Sequence, residues 1–277
     1  VVLSYHRFTK SKGYQWEDIR DAFLQLCYDG VSFVTIHFTA DLDLFSRANQ
    51  IRKIPVTSRG GGMVLYDSRI NNRTQNIFRE NIDEIANIAL KHNVVISLGT
   101  TFRPGTILDA CDSVHIEETL RQLSICRLLQ SKGVKVMVEN IGHITLDKIA
   151  THSKLLSKFN APIMPLGPLP TDAAINEDHI ANAIGASFAA HVGCAHIINC
   201  VTRYEHSKSA ITQDVTIEAI RAAKVAAHIA DLSRNINEAN LYDTSITNNR
   251  VKEHCCFADS NNCTRCSTVC PLKLTSI

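Results

Sequence analysis

The sequence predicts an α/β chain: a (β/α)8 barrel of the TIM type followed by a short cysteine-bearing segment. Three observations predict it. Short apolar runs alternate with single amphipathic helical stretches through residue 234, the pattern of right-handed βαβ units and a parallel sheet. Nearly every apolar run delivers polar or glycine-rich chemistry at its C-terminal end, where a barrel builds its site. An open doubly wound sheet, the alternative, gathers its site at one switch point. From Asn235 onward the apolar density falls, turn formers dominate, and five of the ten cysteines crowd into the last 23 residues. The expected division is therefore a barrel over 1–234 and a C-terminal segment over 235–277.

Taken in order, Val1 to Ser4 reads as a strand or the remains of one. Trp16 to Asp29 carries Ile19, Phe23, Leu26 and Cys27 on one helical stripe, closed by Gly30. Val31 to Ile36 follows as a strand and delivers His37. Ile54 to Thr57 reads as a short strand delivering Ser58, Arg59 and three glycines. Ile82, Ile85, Ala86 and Ala89 mark a helix, and Val94 to Leu98 a strand that delivers Gly99 through Gly105. Leu120, Leu123, Cys126 and Leu129 share a helical face that ends at Lys132-Gly133. Val134 to His143 is the clearest strand, β-branched and apolar before Glu139, Gly142 and His143.

Leu146 to Leu156 is helical, Ile163 to Leu166 a strand, and Asp178 to Val192 helical. Ala195 to Val201 reads as a strand leading to Tyr204, Glu205 and His206, and Asp214 to Arg234 as a long Ala-rich helix. These make six strands, or seven with Val1, where a closed barrel needs eight. The N-terminal part of the barrel is expected to be missing, and the chain begins with Val1 rather than Met, as a processed start or a cut inside a longer protein would.

A net charge of +2 with both signs interspersed gives no reason to expect nucleic acid or an anionic membrane as partner. The longest apolar run, Ala183 to Val201, contains His191, His196 and Asn199 and makes a poor membrane span. Cys27, Cys111, Cys126, Cys194 and Cys200 sit singly in helical or strand patterns, as small core residues do. Crowded cysteines in a cytosolic-looking enzyme favour metal over disulfide, and the cytoplasm is the default compartment.

Several stretches carry chemistry. Ser58-Arg59-Gly60-Gly61-Gly62 reads as a glycine-rich turn with a fixed cation, suited to phosphate or carboxylate. Gly99 to Gly105 repeats the ingredients, with Arg103. Glu139, His143 and His206 suit a divalent ion that keeps positions open for substrate. Cys263-Thr-Arg-Cys266-Ser-Thr-Val-Cys270-Pro271 offers three thiolates, either to an iron–sulfur cluster with one open iron or to structural zinc with His254, Cys255 or Cys256 as fourth ligand.

An ordered series of motifs adds a resemblance. It comprises T-I-H at Thr35 to His37, S-R-G-G at Ser58 to Gly61, S-L-G-x-x-x-R-P-G at Ser97 to Gly105 and V-M-V-E-x-x-G-H at Val136 to His143. A-P-x-x-x-L-G-P-L at Ala161 to Leu169, T-D at Thr171-Asp172, D-H-I at Asp178 to Ile180, A-I-G-A at Ala183 to Ala186, E-H at Glu205-His206 and K-x-A-A-H-x-A-D-L at Lys224 to Leu232 follow. From about Trp16 to the C-terminus the series resembles the phosphomethylpyrimidine synthase family, radical enzymes of thiamine biosynthesis.

The resemblance implies a homodimeric β/α barrel. It implies a [4Fe–4S] cluster on Cys263, Cys266 and Cys270 that cleaves S-adenosylmethionine with an electron from an external donor. The substrate it implies is aminoimidazole ribotide, rearranged to hydroxymethylpyrimidine phosphate with loss of formate and carbon monoxide. His37, Ser58, Arg59, Gly60, Arg103 and Glu139 match substrate-binding positions, with Tyr5 as a looser match, and His143 and His206 match two histidines that hold zinc or iron. Glu139 and the three cysteines are the expected catalytic set.

Departures fall in the same pocket. Thr100-Thr101-Phe102 stands where the family carries Asp-Gly-Leu, Met164 stands for a tyrosine, and Asn140-Ile141 stands for Gly-Pro. The cysteine spacing is one residue short, and the stretch between His206 and the cysteines is abbreviated. Three alternatives follow: a branch making 5-hydroxybenzimidazole, a degenerate paralogue that binds ligand or metal without turnover, and a zinc barrel hydrolase with Glu139 as base.

Overall fold

The computed structural model describes residues 1–207, 210–252 and 265–274. The chain forms two compact units, Val1–Ala227 and His228–Ile277. In the first, four parallel strands lie in the order of the chain: β1 (Phe33–Ile36), β2 (Val95–Leu98), β3 (Val136–His143) and β4 (Ile163–Leu169). Register runs Phe33 to Val95, Ile96 to Val136 and Val138 to Ile163.

The helices are α1 (Trp16–Tyr28), α2 (Leu42–Ile51), α3 (Arg59–Ile70), the short α4 (Ile77–Glu80), α5 (Ile82–His92), α6 (Ser113–Ser131), α7 (Leu146–Leu156) and α8 (Asp178–His191). They are followed by α9 (Gln213–Ser233), α10 (Asn237–Lys252) and α11 (Pro271–Leu274). Among the described residues no helix is long and apolar enough to cross a membrane.

The sheet is smaller than the expected six or seven strands, and a complete eight-stranded barrel is not formed by the strands seen. Ile54 to Thr57 is coil. Its backbone is claimed by side chains, since Asp109 accepts from the Lys53 and Ile54 N–H groups at 3.0 and 2.9 Å. Ala195 to Val201 is not a strand, although the His196 and Ile197 N–H groups donate to the Ile163 carbonyl and Asn199 Nδ2 to that of Pro165. Val2 likewise makes only a single parallel bridge, to Thr35. Two partial neighbours thus flank the sheet, one at each edge. The strand order never reverses, as it would at the switch point of a doubly wound sheet.

Two further expectations change. Ser58 to Gly62 is the start of a helix: Ser58 is the N-cap of α3, its hydroxyl accepting from the Gly61 N–H at 3.0 Å. Asn235 onward is helical over α10, where the Asn240 amide and the Thr244 hydroxyl donate to carbonyls one turn back. Of the isolated cysteines, Cys126 and Cys194 are buried, but Cys27 and Cys111 are half-buried and Cys200 is exposed.

The core includes Val34, Ile36, Ile96 and Val138 of the strands and Phe23, Ile85, Leu129 and Ile149 of α1, α5, α6 and α7, all essentially inaccessible, with α6 packed on β3 and α8 on β4. Burying each such side chain contributes about 1.5–3 kcal/mol. One polar clasp fixes α6 across two strand ends. Gln122 donates from Nε2 to the Leu98 carbonyl at 3.0 Å and to the Glu139 carbonyl at 2.9 Å, and its Oε1 accepts from Asn140 Nδ2 at 2.8 Å.

The tip of β3 is irregular. Register shifts between Ile141 and His143, Ile141 sits at φ +66° and Gly142 at φ +120°. A bulge of this kind re-aims the side chain that follows, here His143. A β-branched residue in the left-handed region is strained, and the Ile141 N–H is held there by its bond to Asn140 Oδ1 at 2.6 Å. A Cβ on Gly142 would stand 2.6 Å from the Pro104 carbonyl oxygen. Gly142→Ala should therefore destabilise the protein by about 1–3 kcal/mol, read as a lower midpoint in thermal denaturation; an unchanged midpoint would refute the close packing of this tip.

Candidate active site

The strands release their chemistry at one end of the sheet: His37 after β1, Gly99 to Arg103 after β2, Glu139 to His143 at the tip of β3, and Asp172 beyond β4. His143 and His206 come together. Their Nε2 atoms face each other at 3.1 Å. His143 Nδ1 bonds Asp172 Oδ1 at 2.6 Å, and His206 Nδ1 bonds Asp178 Oδ1 at 3.0 Å.

A carboxylate only accepts, so each Nδ1 carries the proton and each Nε2 of the neutral ring presents a lone pair. Two lone pairs pointed at each other are satisfied by a divalent cation, and the carboxylate behind each ring is the arrangement that orients metal-ligating histidines. Asp172 is itself pinned by the Thr106 hydroxyl at 2.6 Å and the Ile107 N–H at 3.0 Å. Burial pushes the His143 imidazole below its usual range against the pull of Asp172, which keeps the ring neutral and fit to ligate. The residues present fit a metal.

His37 is a buried, fully occupied residue. Its Nδ1 is 3.0 Å from the Ser4 hydroxyl and its Nε2 2.9 Å from that of Ser58. Gly60 and Gly99 close over the ring: a Cβ on Gly60 would lie 2.5 Å from His37 Cε1, and one on Gly99 3.0 Å from the ring. Gly61 likewise abuts Thr101, so Gly60 and Gly61 serve close packing at least as much as anion access, whereas Gly62 has open space around it. Burial, aided by the Arg103 cation, pushes His37 down to about 3.

Glu139 is buried and accepts from the Thr35 and Ser97 hydroxyls at 2.7 and 3.0 Å. Thr35 and Ser97 are register partners on β1 and β2, so their hydroxyls lie side by side beneath it. Arg103 is close enough for Glu139, Glu118, Tyr5 and Glu205 to stabilise its charge against the cost of burial, and it donates to the Thr100 carbonyl at 3.1 Å. Arg59 stacks on the Tyr5 ring, 4.0 Å from its centroid.

The loop after β2 is held from below by Glu118. This carboxylate accepts from the Thr101 and Phe102 N–H groups at 2.6 and 2.8 Å and from the Thr39 hydroxyl at 2.6 Å. Burial pushes it up to about 7 against those bonds. The Phe102 ring is fully buried, and Thr100 and Thr101 are buried with hydroxyls that have no partner among the described residues. Met164, half-buried, pairs across the sheet with Glu139.

A cavity of about 460 Å³ gathers Arg103, Gly142, His143, Cys200, Glu205 and His206, and a neighbouring one of about 520 Å³ adds Asp172 and Asp178. In the second unit Cys266 precedes a tight turn in which the Val269 N–H donates to the Cys266 carbonyl at 3.0 Å, and Cys266 and Cys270 are both half-buried. Cys263, with His254, Cys255 and Cys256, lies outside the described residues.

Sequence reading missed Asp172 and Asp178 as site residues although both stand inside motifs, because nothing linear links them to His143 and His206. Ser4, Thr35 and Ser97, which anchor His37 and Glu139, carried no signal beyond being polar in an apolar run.

Two expectations follow. Asp172→Asn should weaken zinc binding at the histidine pair about 10–100-fold, measured by titration against a chromophoric chelator, and unaltered affinity would remove the orienting role. His37 is depressed from 6.5 to about 3 on folding, so its contribution is complete above about pH 6.5 and is lost as pH falls toward 3. The thermal midpoint should drop between pH 6.5 and 4 more steeply for the native chain than for His37→Asn, and parallel curves would contradict the assignment.

Comparison with known proteins gives the family. The family model described as "Radical SAM ThiC family" matches residues 2–276. The chain is 34% identical over 241 residues to the phosphomethylpyrimidine synthase of Thermotoga petrophila, covering 86% of this chain and 56% of that protein. It is 38% identical over 227 residues to the phosphomethylpyrimidine synthase of Desulfitobacterium hafniense, covering 81% and 52%. It therefore spans about half the length of the curated relatives it matches. With a family match over nearly its whole length and aligned relatives of one name, the chain belongs to the radical SAM ThiC family.

Proposed function

We propose that this chain carries the site of a carbon–carbon lyase of the phosphomethylpyrimidine synthase type, which rearranges aminoimidazole ribotide to hydroxymethylpyrimidine phosphate. The observation that carries the reading is the facing pair His143 and His206, each backed by a carboxylate, in one cavity with Arg103. In this reading His143 and His206 hold zinc or iron against a polar atom of the substrate, and Arg103, with Arg59 beyond it, grips the ribotide phosphate. Glu139, held on one oxygen by Thr35 and Ser97, keeps its other oxygen for a substrate N–H or hydroxyl. Ser58 and Gly60 hold His37 as a rigid neutral wall.

Cys263, Cys266 and Cys270 are the ligands for a [4Fe–4S] cluster, which when bound supplies the electron for reductive cleavage of S-adenosylmethionine. Three soft thiolates fit that group better than the nitrogen and oxygen donors of the cavity do. An external donor reduces the cluster, and a homodimer is the working assembly.

A second reading is favoured by the loop after β2. The unpartnered hydroxyls of Thr100 and Thr101 and the thioether of Met164 opposite Glu139 give this pocket donors and acceptors different from those of a carboxylate and a phenol. A changed product from the same ribotide, 5-hydroxybenzimidazole, or binding without turnover accounts for them.

One set of incubations separates the readings. After anaerobic reconstitution with iron and sulfide, the reduced protein should show a cluster resonance that shifts on adding S-adenosylmethionine. With the ribotide it should form 5′-deoxyadenosine and the pyrimidine, and Cys266→Ala should abolish both. Formation of 5′-deoxyadenosine by that variant would overturn the assignment. Formation of 5-hydroxybenzimidazole in place of the pyrimidine, or ribotide binding by calorimetry without any product, would transfer it to the second reading.

A further inference from the structure

We propose that Cys111, His115 and His152 form a second metal site, separate from the His143–His206 pair and suited to a zinc-class divalent ion. One ligand atom from each of the three lies within 4.8 Å of the others. His115 and His152 are 0% and 2% exposed, and Cys111 is half-buried. Cys111 directly precedes the N-cap of α6, His115 lies in its first turn and His152 comes from α7.

Asn140, at the tip of β3, fixes which nitrogens are available. Its Oδ1 lies 3.0 Å from His152 Nε2 and 3.4 Å from His115 Nε2, and its Nδ2 is already spent on Gln122 and Thr119. An amide oxygen only accepts, so both Nε2 atoms carry protons and both Nδ1 atoms present lone pairs. His115 Nδ1 receives only a 3.3 Å bond from the Cys111 N–H. His152 Nδ1 is buried with no partner among the described residues. A histidine that merely filled the core would place both nitrogens, because an unmet buried acceptor costs about 1–3 kcal/mol.

The environment suits neutral nitrogen ligands. Burial depresses His152 to about 4, and burial together with the neighbouring His152 depresses His115. Burial pushes the Cys111 thiol up, and the Lys148 cation, which donates to the Ala110 carbonyl at 3.2 Å, offsets part of that rise, leaving the metal to displace the thiol proton. Two imidazoles and one thiolate match the donor set of zinc sites that keep a fourth position open. Tetrahedral zinc draws such atoms to about 3.5 Å apart. The rings are stacked at 4.3 Å with 26° between planes, so ligation asks for about an ångström of convergence. It releases the thiol proton and ties α6 and α7 to the strand that ends in His143.

Cobalt(II) is the probe, because a thiolate ligand gives it a charge-transfer band that nitrogen and oxygen ligands do not. The 277-residue chain is used with His143→Ala and His206→Ala, and with Cys255, Cys256, Cys263, Cys266 and Cys270 each changed to Ser. It should take up one equivalent of cobalt with the thiolate band. Cys111→Ser should remove the band, and Asn140→Ala should weaken binding about 10–100-fold. No stoichiometric uptake, or a band that survives Cys111→Ser, overturns the site. Should Cys111→Ser not fold by circular dichroism, His152→Gln decides: a tenfold or greater loss of cobalt affinity supports the site and an unchanged affinity overturns it.

Discussion

A carboxylate buried at the end of a central strand must be met by hydrogen-bond donors, because an unmet buried polar group is costly. Glu139 on β3 meets that requirement through Ser97 on the adjacent β2 and Thr35 on β1 beyond it, so three strands have to arrive in one register for its oxygen to be satisfied. Gln122 secures the same level from the outside by donating to the carbonyls of Leu98 and Glu139. The Arg103 cation and the close packing around His37 both rest on this level of the sheet. Sheet register is thus a hydrogen-bonding condition here as well as a packing one.

Close approach is the second constraint. The backbone of α3 begins against the ring of His37 and the side chain of Thr101, at distances that no Cβ permits. This explains why glycines occupy a first helical turn, where their backbone entropy is a cost. Ser58 offsets part of it by capping that turn while its hydroxyl also reaches His37. A single serine therefore joins helix start, loop and buried imidazole.

Histidine tautomers are set by the same device in two places. Asp172 and Asp178 take the Nδ1 protons of His143 and His206 and turn their Nε2 lone pairs toward each other. Asn140 takes the Nε2 protons of His115 and His152 and leaves their Nδ1 lone pairs inward. Asn140 also holds the strained Ile141, so one residue links the bulge that aims His143 to the buried histidine pair.

The sequence by itself determined the alternation of strand and helix, because hydrophobic periodicity is a local property. The strands β1 to β4 and the helices from α5 to α9 follow from it, and so does the family, whose motifs are ordered stretches of residues. Periodicity overstated Ile54 to Thr57 and Ala195 to Val201, which are apolar enough for strands but whose backbone bonds go to Asp109 or to one edge of β4. It also missed α3, since three glycines in a row read as a turn unless the His37 ring is known to lie against them. Only the tertiary structure decided that Asp172 and Asp178 stand behind the two histidines, and that Cys111, His115 and His152 meet around Asn140. Hydrogen bonds across 28 to 29 positions of chain, as between His206 and Asp178 or His143 and Asp172, depend on how helices dock on the sheet, and no local pattern encodes that distance.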